Sequence, residues 1–128
     1  MPKTSRATAQ HDRTGPVEEY TAELPGGYTV NFMTFHADID GTPLLQGMPD
    51  DMCQCPHWGY VFAGRLTFRT ADGEETFEPG DAFYLAPGHI PTAIAGTEYV
   101  QLSPTTENQQ VKEHMVRRTL ELMAGGVL

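Results

Sequence analysis

Turn signals recur along the middle of this chain at intervals too short for long helices. Pro25-Gly26-Gly27, Ala63-Gly64, Asp72-Gly73, Pro79-Gly80-Asp81 and Ala86-Pro87-Gly88 punctuate it. Glycine reaches positive φ without steric cost and proline presets φ near −65°, so each cluster bends the chain. The runs between them are rich in aromatic and β-branched residues. Residues 17–24, 28–36, 58–62, 65–70, 76–78, 82–85 and 97–102 are therefore expected as strands. Asp72-Gly73 is the strongest hairpin signal, with both turn positions expected at positive φ. In 28–36, alternation puts Tyr28, Val30, Phe32, Thr34 and His36 on one face and Thr29, Asn31, Met33 and Phe35 on the other. Many short strands with frequent turns point to an all-β sandwich or barrel.

The two ends read differently. Residues 1–16 are polar without periodicity, as expected of a flexible N-terminal arm. Residues 37–51 read as a loop rich in Gly, Pro and Asp. Near the end, Thr106-Glu107-Asn108-Gln109 fits a capping box with Pro104 just ahead. Val111, Met115, Thr119 and Leu122 then share one helical face, with Val116, Leu120 and Met123 beside it. Gly125-Gly126 stops the pattern. The expected organisation is a barrel over 17–104 followed by an amphipathic helix over 105–124, packed on the barrel or on a partner subunit.

Composition narrows the partners. The chain has 128 residues, enough for one domain, and a formal net charge of −9. An acidic balance disfavours nucleic acid, which needs clustered Lys and Arg, and an anionic membrane surface. No apolar run is long enough to span a bilayer, and the N-terminus lacks the apolar middle of a secretory signal. A cytoplasmic protein is expected. The only cysteines are Cys53 and Cys55. Residues i and i+2 of an extended strand lie roughly 6.6–7 Å apart, at the limit for a disulfide, so free thiols are expected.

Cys53, Cys55 and His57 stand just before a strand and leave three readings open. They are a metal site, a redox pair whose thiol is activated by histidine, or two buried thiols beside a core histidine. In a straight strand, Cys53 and His57 would sit about 13 Å apart, so a shared ion requires the chain to bend, with Pro56 as the candidate bend.

Residues 47–92 resemble the cupin family, small barrels of the double-stranded β-helix type. The family's first motif has a Gly, a His-x-His pair, a Glu, and a Gly seven positions after that Glu. Its second has Pro-Gly-Asp, a short apolar strand, Pro-x-Gly, and a His three positions later. Gly64 matches the closing glycine of the first motif. Pro79-Gly80-Asp81 and residues 82–85 match the start of the second, and Gly88 its turn glycine, with Ala86 in place of the proline. The metal positions depart from the pattern. His57 stands where the family has Glu, counting back from Gly64. Cys53 and Cys55 stand where it has His-x-His, counting forward from Gly47. Pro91 takes the place of the last His, and His89 lies two residues earlier.

The resemblance implies an all-β cupin, a jelly-roll-type barrel with a C-terminal α-helix. It places the barrel mouth at these strands, with Cys53, Cys55, His57 and His89 as candidate ligands of a divalent metal, zinc or iron. Asp50 and Asp51, and more weakly His36, are nearby alternatives. It further implies a small-molecule substrate with dioxygenase, isomerase or lyase chemistry. The alternative is a non-catalytic small-ligand-binding barrel, with or without a structural zinc. A homodimer is implied by family habit, using the arm and the C-terminal helix. Trp58, of opposite parity to His57, reads as a packing residue or a subunit contact; His11 and His114 read as surface groups.

Overall fold

The computed structural model describes residues 2–125. β1 (Gln10–Thr14) and β2 (Val17–Leu24) form a hairpin beside β3 (Tyr28–Phe35). A connection follows, with β4 (Ile39–Asp40), the one-turn helix α1 (Thr42–Leu45) and a 3-10 turn at Pro49–Asp51. Then come β5 (His57–Ala63), β6 (Leu66–Thr70), β7 (Gly73–Phe77), β8 (Ala82–Leu85), β9 (Ile90–Ala93), β10 (Glu98–Pro104) and α2 (Thr105–Ala124). The strands make two antiparallel sheets: β1-β2-β3-β10-β5-β8 and β4-β9-β6-β7. Among the described residues no helix is long and apolar enough to cross a membrane.

Alternation decides what lies between the sheets. Met33 and Phe35 from β3, Val61 from β5 and Tyr99 from β10 project inward from the large sheet, as do Phe83 and Leu85 from β8. Leu66, Phe68 and Ala93 complete the cluster from the small sheet. Val61 and Leu66 are wholly buried, worth roughly 1.5–3 kcal/mol each. Packing is close enough that a Cβ on Gly59 would overlap the Phe83 ring and the Val100 carbonyl. Gly64, at φ +81°, turns β5 into β6, and a side chain there would overlap Thr97.

The structure departs from the sequence reading at several points. Gln10–Thr14, inside the expected arm, pairs residue for residue with β2, from Gln10 opposite Thr21 to Thr14 opposite Val17. All five residues of β1 are exposed. No buried face exists to impose a pattern, so the strand left no alternation to detect. β9 was also not expected. Pro91 interrupts it and removes a ladder donor, yet Pro91 pairs with Phe68 and its carbonyl accepts from Gly41 N at 2.9 Å. The 37–51 segment holds β4, α1 and the 3-10 turn. The β6–β7 hairpin is present, but Thr70 pairs with Gly73, so Ala71 and Asp72 make the turn. Only Gly73 of the expected pair has positive φ, at 129°.

β10 runs directly into α2, which changes the helix start. Pro104 is both the last strand residue and the N-cap, and no side chain caps the helix. Thr105 N donates instead to the Gly27 carbonyl at 2.8 Å, and the Thr105 and Thr29 hydroxyls bond at 2.8 Å. Gly125 is the C-cap; Gly126 lies outside the described residues. α2 clamps the β4–β5 connection. His114 Nε2 donates to the Gln46 carbonyl at 2.8 Å, and Arg118 bonds the Pro43 carbonyl and the Gln46 side chain. Beneath this clamp lies a second cluster of Leu45, Cys53, Cys55, Ile90 and Val111, lined by Met48, Met52 and Met115.

Candidate metal centre

Asp50 and Asp51, at φ 56° and 57°, lie in the left-handed region, which aspartate tolerates better than most residues. They sit at the end of the connection, just before Cys53. Cys53 is not part of a strand; it forms an isolated antiparallel bridge with His89. Cys53 N donates to the His89 carbonyl at 2.8 Å, and Gly88 N donates to the Cys53 carbonyl at 2.7 Å. Pro56 follows, and β5 begins only at His57.

The chain therefore folds back on itself. Cys53 Sγ lies 3.8 Å from His57 Nε2, far less than the expected spacing of an extended strand. A tetrahedral zinc with ordinary Zn–S and Zn–N bonds needs a separation of about 3.5 Å. The His57 and His89 rings are 5.1 Å apart at 61°. One ligating atom from each of Cys53, His57 and His89 lies within 4.8 Å of the other two. All three are buried, at 5%, 7% and 1% exposure.

Hydrogen bonds orient both imidazoles. His89 Nδ1 is 2.8 Å from the Ala86 carbonyl. A carbonyl only accepts, so Nδ1 carries the proton and Nε2 keeps its lone pair. His57 Nδ1 is 2.6 Å from Ser103 Oγ, which is wholly buried on β10. The bond to Ser103 engages Nδ1 and fixes the ring, so that Nε2 is the nitrogen turned toward Cys53 Sγ.

Burial keeps both rings neutral, the form that binds metal. It pushes His57 down to about 3, with the charge of His89 adding to the effect. Burial also lowers His89, against the opposing bond to Ala86. The Cys53 thiol is pushed up to about 11 by burial. Cys55 rises to about 12, chiefly by burial and then by Cys53. Reactive thiols need a depressed pKa and access to solvent. Both cysteines are free and buried, so neither is activated by its surroundings.

The expected ligands separate into those that converge and those that do not. Cys53, His57 and His89 come together. Cys55 is wholly buried but turns aside, its Sγ 3.4 Å from the Pro56 carbonyl. The parity that placed it with the others assumed one continuous strand, and Pro56 breaks that strand. The Asp51 carboxylate accepts from Gly47 N at 2.9 Å, and His36 pairs with Glu18 at 3.0 Å. Ser103 was not foreseen, because its place opposite His57 follows from the β5–β10 register.

Aromatic rings occupy the barrel beside the centre. Phe68 stands perpendicular to His89 at 5.4 Å, and Phe83 lies 6.1 Å from Phe68. Two depressions, of about 680 and 210 Å³, are lined by α2 from Gln109 to Arg117 and by the Asp38–Arg65 region. Neither is lined by a residue of the triad.

No family model and no curated protein matches the chain. Solved structures do resemble it. A protein of unknown function from Rhizobium leguminosarum bv. viciae 3841 is 20% identical, over 80% of this chain and 95% of that one, with a TM-score of 0.57. The polyketide cyclase RemF from Streptomyces resistomycificus is 13% identical, over 82% and 80%, also at 0.57. An RmlC-like cupin from Shewanella frigidimarina NCIMB 400 is 13% identical, over 79% and 88%, at 0.55. The chain has the cupin fold. The three converging side chains come from the loop before β5, from the first residue of β5 and from the loop before β9. The Cys53–His89 bridge is what joins them.

Proposed function

We propose that this cupin binds a divalent metal ion, zinc or iron, through Cys53 and the two histidines His57 and His89, and acts there on a small organic molecule. The supporting observation is the convergence of one sulfur and two neutral, oriented imidazoles within 4.8 Å. The donor set fits: thiolate and imidazole together suit zinc or iron better than magnesium or calcium. When bound, the ion would supply Lewis-acid polarisation of a carbonyl or carboxylate, as isomerase or lyase chemistry needs, and iron, unlike zinc, would also supply the redox chemistry of a dioxygenase. The chain's own residues prepare for it. Ser103 and the Ala86 carbonyl hold the rings, and Cys53 releases its proton to become a ligand. Three protein ligands leave a position for substrate, whereas a fourth from Cys55 would close the site. The RemF cyclase is one protein in which this fold serves small-molecule chemistry. The net charge of −9 supports a function without nucleic acid.

Metal analysis of protein purified without added metal tests this reading. Stoichiometric metal is expected in the unmutated chain, lost in Cys53→Ala, His57→Ala and His89→Ala, and kept in Cys55→Ala. A metal-free protein would leave a non-catalytic ligand-binding barrel. The near-complete burial of the triad favours a second reading, in which the ion is structural. Chelation distinguishes the two: a structural ion takes the fold with it when removed, and a catalytic one leaves the barrel folded.

A further inference from the structure

Two histidines and a carboxylate meet on the outer face of the large sheet, away from the buried triad. His11 lies on β1, Glu18 on β2, and His36 directly after β3. The register puts them on one side. His11 is opposite Tyr20, two residues from Glu18, and Glu18 is opposite Thr34, two residues from His36. Residues two apart in a strand share a face, and so do directly paired ones. Glu18 stands in the middle and uses both oxygens. Its Oε2 is 2.8 Å from His11 Nε2, and its Oε1 is 3.0 Å from His36 Nε2. Neighbouring groups brace the set. The Tyr20 ring packs on His11 at 4.7 Å, and its hydroxyl donates to Glu18 Oε2 at 3.5 Å. His36 N donates to the Pro16 carbonyl at 2.7 Å. The two imidazoles are 50% and 39% accessible, and the carboxylate 21%.

We propose that His11, Glu18 and His36 form a second metal site, for a zinc-class divalent ion, which ties the edge strand β1 to the end of β3 across β2. The donor set is the first argument. Two imidazoles and a carboxylate suit zinc and leave a fourth position for water. Distance is the second. Ordinary Zn–N and Zn–O bonds set ligand atoms about 3.3 Å apart in a tetrahedron, and both nitrogen–oxygen separations are already close to that. Each Nε2 now donates its hydrogen to a carboxylate oxygen, which only accepts. The ion takes the place of those hydrogens, and each neutral ring carries its proton on Nδ1 instead. The two nitrogens must also draw together: among the described residues, mutual approach within 4.8 Å is met by the buried triad and not by these three. Their exposure leaves them free to rotate. Charge is the third argument. A chain of net charge −9 attracts cations, and the one cation opposite Glu18, Arg13, is turned to the Gly15 carbonyl at 3.2 Å. The link also has a task. All five residues of β1 are exposed, so no apolar anchor holds this strand and a cross-strand tie supplements its ladder. The site contains no sulfur and does not depend on the triad.

Cobalt(II) separates the two sites by colour, because thiolate adds a sulfur-to-metal charge-transfer band that nitrogen and oxygen ligands lack. Chelator-washed, full-length protein titrated with cobalt is expected to take up one equivalent without that band, distinct from any equivalent that shows it. Cys53→Ala should keep the band-free equivalent. Glu18→Gln and His36→Ala should each weaken it at least about 10-fold, while circular dichroism shows a folded barrel. Added zinc should slow amide hydrogen exchange across Gln10–Thr14 in the unmutated chain and not in Glu18→Gln. A chain that binds no band-free equivalent overturns the proposal. So does an equivalent that persists in both Glu18→Gln and His36→Ala, or zinc that leaves exchange in β1 unchanged. Failure of the buried centre shows separately, as the absence of the sulfur band. The spectrum and the exchange of the unmutated protein decide the matter should a variant fail to fold.

Discussion

The barrel core and the cluster under the α1–α2 clamp are built from different atoms and different kinds of backbone. The core takes alternate residues from strands: Met33, Phe35, Val61, Leu66, Phe68, Phe83, Leu85, Ala93 and Tyr99. Most are branched aliphatic or aromatic side chains with few rotamers. The end cluster takes Leu45 and Val111 from helices, Cys53 and Cys55 from non-strand backbone, and three flanking methionines. Sulfur-rich, unbranched side chains fill irregular space and tolerate adjustment. The core thus specifies the barrel, and the softer cluster holds the place where ligand atoms meet. Stability and metal binding should be separable by mutation.

The largest effect is expected in the core. Phe83→Ala removes a ring that packs on Phe68, Phe77 and Tyr99. It should cost about 3–5 kcal/mol in urea unfolding, while any protein that remains folded keeps its metal. A comparable loss of metal in that variant would break the comparison.

Acid should strike the other cluster. Folded His57 titrates near 3, below its unfolded value of about 6.5, so the unfolded chain binds the proton more readily. In chelated protein, the stability owed to neutral His57 is whole above about pH 6.5 and declines as pH falls toward 3, by on the order of 3 kcal/mol at pH 4. His89, also lowered, acts in the same direction. Urea titrations of chelated protein at several pH values check this. His57→Gln should flatten the slope between pH 6 and 4.

Ser103→Ala separates positioning from packing. It removes the hydroxyl bonded to His57 Nδ1 and should weaken metal affinity about 10–100-fold by competitive chelator titration. Ser103→Thr should restore part of the loss. The smallest effect is expected at Cys55. Cys55→Ala should retain stoichiometric metal and lose only about 1 kcal/mol of stability, as for a small buried group. Loss of metal there would make the site four-coordinate and structural.

Much of the fold was legible because alternation is a local property. Val17–Leu24 and Ala82–Leu85 were delimited by their own residues and flanking turns. β1 and β9 were not, since an edge strand exposed throughout has no hydrophobic face and Pro91 argues locally against a ladder. Three of the four expected ligands converge, but by a different route from the one their parity suggested. Cys55 and Cys53 share parity yet part company, because parity holds only while the strand continues.

The residues by themselves determined most of the barrel's strands, though not β1, β4 or β9, together with their inward faces and the identity of the candidate donor atoms, since those depend on neighbours one or two positions away. The tertiary structure alone decided that Cys53 meets His89 across an isolated bridge, that Ser103 orients His57, and that Trp58 and Tyr84 join into an open aromatic face. Each of these is a pairing between distant segments, set by sheet register and the long-range packing that fixes it, whereas local turn residues fix register only within a hairpin.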